Sequence, residues 1–267
     1  MIVRDIQQNT PEWLAWRMGK IGASSAAAVL GKCKYQTAYG LWLVMTGRAE
    51  GFQGNDATER GLEMEPKARA SYEILNDFVE MPATCVQHDA YPKIIASLDG
   101  LSLDGKRILE IKYPSQESHE STLSGKVPEH YWIQCQHQLM LVPDADACDY
   151  WSYREGNGAL VKVVPDAPFQ ALLLASELAF LKLVETDVAP PLTERDAKVV
   201  SDPIVMDLCR ELLVLKEDKS KSAKAKSDLL KAEVIKLGGH NKVRCGSVLI
   251  SQSQTGYRMT TARAVGE

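Results

Sequence analysis

The pattern of apolar and polar positions changes twice along the chain, and each change marks a different kind of element. In the first stretch the spacing is helical. Pro11 and Glu12 open a short amphipathic segment through Met18, and Ser24 or Ser25 stands as an N-cap before SAAAVL. A second helix fits Thr37 to Met45 and closes at Gly47, and a third starts at Asn55 or Asp56 and reaches about Leu75. Pro66 lies inside that third helix, so a kink or a late start is expected there.

The runs then shorten. FVEMPATCVQHDAY, KIIASLDG, LSLDG and KRILEIKY are rich in β-formers and separated by turn residues. After Pro128, EHYWIQCQHQLMLV has the pattern of a mostly buried helix, followed by strands near 147–153 and 159–164. Asp166 or Pro168 begins a further helix, FQALLLASELAFLKLVE, that stops before Pro190 and Pro191. Helices, a small sheet and helices again predict an α/β or α+β core. The tail differs in character. Pro203 to Leu237 has few breakers and a lysine-rich middle, KEDKSKSAKAKSDLLK, and ends at Gly238 and Gly239; strand candidates VRCGSVLIS and GYRMTTA follow. The expected division is a core over 1–195 and a helical and β-hairpin appendage over 196–267.

At 267 residues, with 45% hydrophobic and 25% charged positions, the composition is that of an ordinary globular protein. The chain has no run of eighteen apolar residues, and its start has neither a basic nor an apolar leader region, so neither a membrane nor a secretory route is expected. Six scattered cysteines without a C-x-x-C pair fit a reducing cytoplasm and argue against zinc or an iron–sulfur cluster. The net charge of −4 announces no phosphate-binding surface. A carboxylate-rich metal site is itself acidic until metal binds, however.

The most informative stretch is SLDGLSLDGKRILEIKYP. Asp104-Gly105 between strand-like runs predicts a two-residue type I′ hairpin. Leu103 then faces Lys106, and counting outward sets Asp99 opposite Glu110, with Cβ atoms roughly 4.5–5.5 Å apart. Two opposed carboxylates repel unless a cation joins them, and hard divalent cations take oxygen ligands. Lys112 shares a face with Glu110 while Ile111 turns toward the core. An ammonium there suits charge stabilisation in phosphoryl transfer. A solvent-facing hairpin with a Glu/Lys pair has the same pattern, and the hairpin alone does not separate the two.

Asp99 followed by Glu110-Ile111-Lys112 resembles the D…(D/E)-x-K signature of the PD-(D/E)XK nuclease superfamily. The flanking blocks sharpen this. RMGKIGASSAAAVLGKCKYQTAYGLWLVMTG, GLEMEPKARASY, SLDG, LEIKYP and PEHYWIQCQHQLMLV stand in the order found in YqaJ-type viral recombinases, the group that includes lambda exonuclease. The resemblance covers roughly residues 10 to 186. It implies a restriction-endonuclease-like core with a central mixed sheet flanked by helices. It also implies two magnesium ions, with manganese as an alternative, and 5′-to-3′ digestion of one strand of duplex DNA to leave 3′ overhangs. A trimeric ring, a single-strand annealing partner and phage or prophage origin, acting in the bacterial cytoplasm, belong to the same picture. By this resemblance the metal ligands are Asp99, Glu110, the Ile111 carbonyl and Glu65, the catalytic lysine is Lys112, and Gln134 joins the catalytic neighbourhood. Arg17 and Ser24 match 5′-phosphate ligands.

Arg17 and a helix start at Ser24 also make physical sense as an anion site, since unpaired N–H groups and a bidentate guanidinium both suit a terminal phosphate. A buried Gln134 needs partners, structural or catalytic. His130 and His137, seven apart, are not a zinc motif and are either structural or DNA-facing. The lysine run over 216–231 reads as a solvated helix face, with nucleic-acid or protein contact as the other reading. Two rival functions stand beside the exonuclease: an endonuclease or repair nuclease on the same core, and an inactive DNA-end-binding scaffold.

Overall fold

The computed structural model describes residues 1–51, 54–77, 80–218, 220–253 and 256–261. The chain divides into two compact units, Met1–Pro190 and Pro191–Glu267. The first runs β1 (Ile2–Arg4), α1 (Pro11–Arg17), β2 (Ile21–Gly22), α2 (Ala23–Val29), α3 (Ala38–Met45), α4 (Asp56–Leu75), β3 (Thr84–Gln87), β4 (Ile94–Leu98), β5 (Gly100–Leu101) and β6 (Arg107–Lys112). It continues with α5 (Gln116–Leu123), α6 (Glu129–Leu141), β7 (Ala147–Arg154), β8 (Asn157–Val163) and α7 (Ala167–Glu185).

Capping side chains set most of these helix starts. Thr10 accepts from the Trp13 N–H with Pro11 in the first turn, Thr37 from Gly40, Asn55 from Ala57 and Thr58, and Asp166 from Phe169. The Asn55 cap fixes α4 before Pro66, so the helix starts early and runs through the proline instead of beginning after it. The helix α2 departs from expectation: its N-cap is Gly22, which leaves Ser24 and Ser25 inside the first turn.

The mixed sheet expected at the centre of the core is laid out as two four-stranded mixed sheets, ordered β1-β3-β4-β2 and β5-β6-β7-β8. In each, one pair is parallel, β2 with β4 and β6 with β7. The chain crosses between sheets at Asp99. There the Leu101 N–H donates to Pro82 O at 3.0 Å, and a Cβ on Gly100 would lie 2.9 Å from the Met81 backbone oxygen, so the strand leans onto residues 81–82 rather than extending its old ladder.

Strand alternation divides the second sheet's side chains between two cores. On one face Ile108, Cys148 and Tyr150 join Ile133 and Leu139 of α6 in the main cluster. On the other, Leu109, Ile111, Trp151 and Tyr153 pack with Ala68 and Tyr72 of α4. Glu110 and Lys112 therefore emerge on the α6 side.

The second unit has a 3-10 turn at Glu194–Asp196, then β9 (Lys198–Val199), α8 (Pro203–Leu215), α9 (Lys221–Gly238), β10 (Lys242–Cys245), β11 (Val248–Ser253) and β12 (Gly256–Thr261). Its sheet is four-stranded, ordered β12-β11-β10-β9, so it is more than a hairpin. Val205, Cys209, Leu212, Val234, Val243 and Ile250 form its own core. The unit starts at Pro191, earlier than the expected 196, because Lys242 Nζ donates to Leu192 O at 3.2 Å and Arg244 pairs with Glu194 at 3.4 Å. The helical run from Pro203 breaks before Ser220, which caps α9 by accepting from Ala223. In the lysine run, Lys226 pairs with Glu211 and Lys231 with Asp228, as on a solvated face. Phe78, Val79, Lys219 and Ala262, which the sequence pattern assigned to strands and to the lysine run, lie outside the described residues.

The helix α7 is 19 residues long with a mean hydropathy of 1.5, enough by length and composition to cross a membrane. It nevertheless buries a carboxylate. Glu177, with no exposure, accepts from His137 Nδ1 at 2.7 Å, while His137 Nε2 donates to Ile95 O at 2.9 Å. His137 is thus structural, tying α6 and α7 to β4. Burial opposes its charge, but the Glu177 carboxylate and the Ile95 carbonyl outweigh that and raise its pKa above the ordinary 6.5. A raised value means the pair's contribution is complete below the unfolded pKa and fades as pH rises through the folded one. Glu177→Leu should cost about 3–5 kcal/mol by stranding the histidine, and the His137→Leu/Glu177→Leu double variant less. Urea unfolding at several pH values should show the wild type losing stability above neutrality relative to the double variant. Parallel pH curves for the two proteins would refute this.

Candidate active site

The hairpin between β5 and β6 sets the site's geometry. Its turn is not the expected type I′: Gly105 alone is left-handed, at φ +71, and Asp104 is not. The Gly105 N–H instead closes onto Ser102 O at 2.8 Å, and Asp104 Oδ1 accepts from Ser102 Oγ and from the Lys106 N–H. The pairing register is unchanged by this. Gly100 faces Leu109 and Leu101 faces Ile108, which continues to Asp99 opposite Glu110.

Glu110 is almost wholly buried, at 1% exposure. Its Oε1 accepts from Gln134 Nε2 at 2.5 Å and pairs with Lys112 Nζ, and its Oε2 accepts from Gln138 Nε2 at 2.5 Å. Burial alone would depress the Lys112 pKa, yet the carboxylates of Glu110 and Asp99 outweigh it and hold the ammonium charged. Lys112 also lies over the Tyr131 ring, 5.7 Å from its centre.

Asp99 is half-buried. Its Oδ2 accepts from the Ile111 N–H at 2.6 Å, and its backbone oxygen accepts from Arg69 Nη2 at 2.5 Å. Burial first, and the charge of Glu110 second, push its pKa up to about 7 against the pull of Lys112; the charge of Glu65 adds to the rise. Oxygen donors, and repulsion between Asp99 and Glu110 that Lys112 offsets only in part, fit a hard divalent cation. Asp99, Glu110, Lys112 and Gln134 are brought together. Glu65, on α4, reaches Asp99 through its field, but among the described residues no group of three Asp, Glu, His or Cys side chains is spaced to hold one ion.

Two residues before Asp99, Ser97 Oγ accepts from Trp13 Nε1 at 2.8 Å and from Arg17 Nη1 at 3.3 Å. The Arg17 guanidinium stacks on Trp13 at 4.5 Å and lies against Gly22, where an added Cβ would stand 3.3 Å from Nη2. Burial lowers its pKa. No ion pair to Arg17 occurs among the described residues. Ser24 is exposed in the first turn of α2, so the helix start beside Arg17 is Gly22 and not Ser24.

Sequence reasoning missed Gln138, Arg69 and Ser97. Helical spacing of four from Gln134 and from Glu65 marks the first two, and strand spacing of two from Asp99 marks the third. Gln136 faces elsewhere, donating to Val164 O at 2.8 Å. His130 is half-buried against Tyr131, ring centres 4.0 Å apart, and the charge of Lys112 reaches it.

All the candidate site residues lie within residues 12–145, which match the YqaJ-like viral recombinase domain. The chain belongs to the YqaJ-like viral recombinase family. The uncharacterized protein YqaJ of Bacillus subtilis (strain 168) is 29% identical over 141 residues, 52% of this chain and 44% of that protein. The match thus spans less than half the length of that relative. The alkaline exonuclease LHK-Exo of Laribacter hongkongensis shares the fold, with TM-score 0.59, 28% identity, and coverage of 67% of this chain and 94% of that one. Its complex with dAMP gives 31% identity at the same TM-score and coverage. A phage-related exonuclease from Haemophilus somnus 129PT, 16% identical with TM-score 0.50, covers 63% of this chain and 95% of its own, and shows the fold alone. This recombinase-family core is therefore the mixed α/β fold of the PD-(D/E)XK type.

The Asp99 environment has a measurable consequence. A carboxyl raised from 3.8 to about 7 makes folding less favourable as pH climbs between those values, because the unfolded chain releases the proton first. In the metal-free protein, Asp99→Asn should therefore raise the melting temperature at pH 8 and change it little at pH 4.5. Equal effects at both pH values would contradict the raised Asp99 pKa.

Proposed function

We propose that the protein is a magnesium-dependent nuclease that digests one strand of duplex DNA from its 5′ end. The observation that carries this reading is the convergence of Asp99, Glu110 and Lys112 at the β5–β6 hairpin of a YqaJ-family core. In this reading Asp99 and Glu110 hold the cation, with the Ile111 carbonyl and Glu65 as further oxygen donors and manganese as an alternative ion. Bound magnesium supplies Lewis-acid charge at the scissile phosphate. Lys112, kept protonated by its carboxylate neighbours, stabilises negative charge that develops on the phosphoryl oxygens. Gln134 fixes the Glu110 carboxylate through its amide.

The 5′ polarity is supported by Arg17. This partly buried cation has a serine hydroxyl and an indole ring around it and the start of α2 beside it. Such surroundings suit a terminal phosphate, which brings two charges and several acceptors. A ring of three copies, a single-strand annealing protein that takes up the 3′ overhang, and work in a bacterial cytoplasm follow from the same family reading. Light scattering should then give about three times the 29.5 kDa chain mass.

A digestion assay on linear, circular and single-stranded DNA, with magnesium or with EDTA, tests the reading. Linear duplex should be degraded only with metal, and faster from a 5′-phosphate than from a 5′-hydroxyl. Asp99→Ala, Glu110→Ala and Lys112→Ala should each fall about 10²-fold or more while remaining folded. Arg17→Ala should erase most of the preference for phosphorylated ends. Cutting of circular duplex would favour an endonuclease, metal-independent end binding without cleavage a scaffold, and wild-type cleavage by any of the three Ala variants would remove the site.

A further inference from the structure

A glutamine on the wholly buried face of a helix is an unfavourable choice unless its amide has work to do. Gln138 has no exposure and shares α6 with the buried side chains of Ile133, Leu139 and Leu141. A leucine of similar volume would fit such surroundings without any polar atom to satisfy. The amide is instead matched at both ends. Nε2 donates to Glu110 Oε2 at 2.5 Å, and Oε1 accepts from the Cys148 thiol of β7 at 3.5 Å. The thiol has a second neighbour in Cys135.

These two bonds demand one amide orientation. Turned by 180°, Gln138 would direct its oxygen at a carboxylate and its N–H₂ at a thiol proton. The acceptor-only carboxylate by itself selects the observed orientation, and Cys148, which the nuclease reading leaves unused, occupies the amide oxygen left on the other side. The consequence falls on the carboxylate. Gln134 and Lys112 both engage Oε1, whereas Oε2 has Gln138 as its single hydrogen-bond partner among the described residues. A carboxylate oxygen can take a cation and keep one hydrogen bond, since it has two lone pairs.

We propose that Gln138 is a positioning residue for Glu110: its amide N–H₂ fixes the carboxylate's rotation so that Oε2 is the oxygen presented to a divalent cation. The inference rests on the proposed role of Glu110 as a cation ligand. Hydrogen bonds behind a ligating carboxylate set its orientation and basicity, and their loss commonly weakens metal binding about 10–100-fold.

Calorimetric titration of manganese into the full chain tests this, using wild type and Glu110→Ala, Gln138→Leu, Gln138→Met and Cys148→Ala variants. Thermal melts of the metal-free proteins should accompany the titrations. Glu110→Ala should lose the binding. Gln138→Leu should weaken it about tenfold or more. Cys148→Ala, which removes the donor to the amide oxygen but leaves the N–H₂ on Glu110, should change it less than Gln138→Leu does. A merely structural role would move the melting temperatures and leave manganese affinity alone. Wild-type affinity in Gln138→Leu, with Glu110→Ala inactive in binding, overturns the positioning role while sparing the metal site. Should Gln138→Leu fail to fold, Gln138→Met takes its place, and wild-type affinity in that variant overturns the role just as well. Undiminished binding by Glu110→Ala overturns the ligand reading and this inference together.

Discussion

A carboxylate buried to 1% exposure in the middle of a sheet is the constraint around which the first unit is organised. Glu110 emerges from β6 between apolar neighbours, Leu109 and Ile111, that belong to the opposite core. Its own face must supply donors, and α6 does so twice, at Gln134 and Gln138. That requirement places α6 across β6 and β7, and the placement in turn lets His137 on the next part of the helix surface reach Glu177 and Ile95. Leaving one buried charge unpaired costs several kcal/mol, so these helices cannot slide independently of the strands.

Asp99 extends the same constraint to the second carboxylate. The chain must leave its first sheet to bring Asp99 opposite Glu110, and it does so where Gly100 allows close approach to Met81. Arg69 takes the backbone oxygen exposed by that change of direction, and the Ile111 N–H takes the side chain. The break in the ladder, which the sequence pattern did not anticipate, is thus the geometric means of pairing two acids. Beyond the break, β4 presents Ser97 to Arg17 and Trp13, so one strand links the carboxylates to the partly buried guanidinium.

The legible parts of this arrangement were those governed by local periodicity. Alternation in KRILEIKY separates Glu110 and Lys112 from Ile111, and the hairpin register survives although the turn is of another kind, because Ser102 and Arg107 still face each other across it. The helix start at Gly22 was not legible, since the two serines that follow are better capping residues than the glycine that does the capping. Arg69 was hidden because its partners are backbone oxygens, which leave no residue-type signal. Gln138 was hidden by Gln136, two residues nearer to Gln134 in sequence but on another face of the helix. The seven-residue spacing of His130 and His137 set them apart from a zinc motif, but only the fold separates one against the Tyr131 ring from one buried on Glu177.

The choice of neutral amides around Glu110 bears on how a chain of net charge −4 can host phosphate chemistry. With both carboxyls ionised, Asp99 and Glu110 would carry two negative charges against one positive on Lys112, and that excess favours a cation. An arginine or lysine at position 134 or 138 would satisfy the buried oxygens equally well as a donor. It would also cancel the remaining attraction for metal and add a second fixed cation to a site already holding Lys112. Glutamine satisfies the lone pairs without changing the charge. The site can then stay attractive to a divalent ion, and in the proposed reading a phosphate would be drawn in by that ion and by Arg17, not by a basic surface.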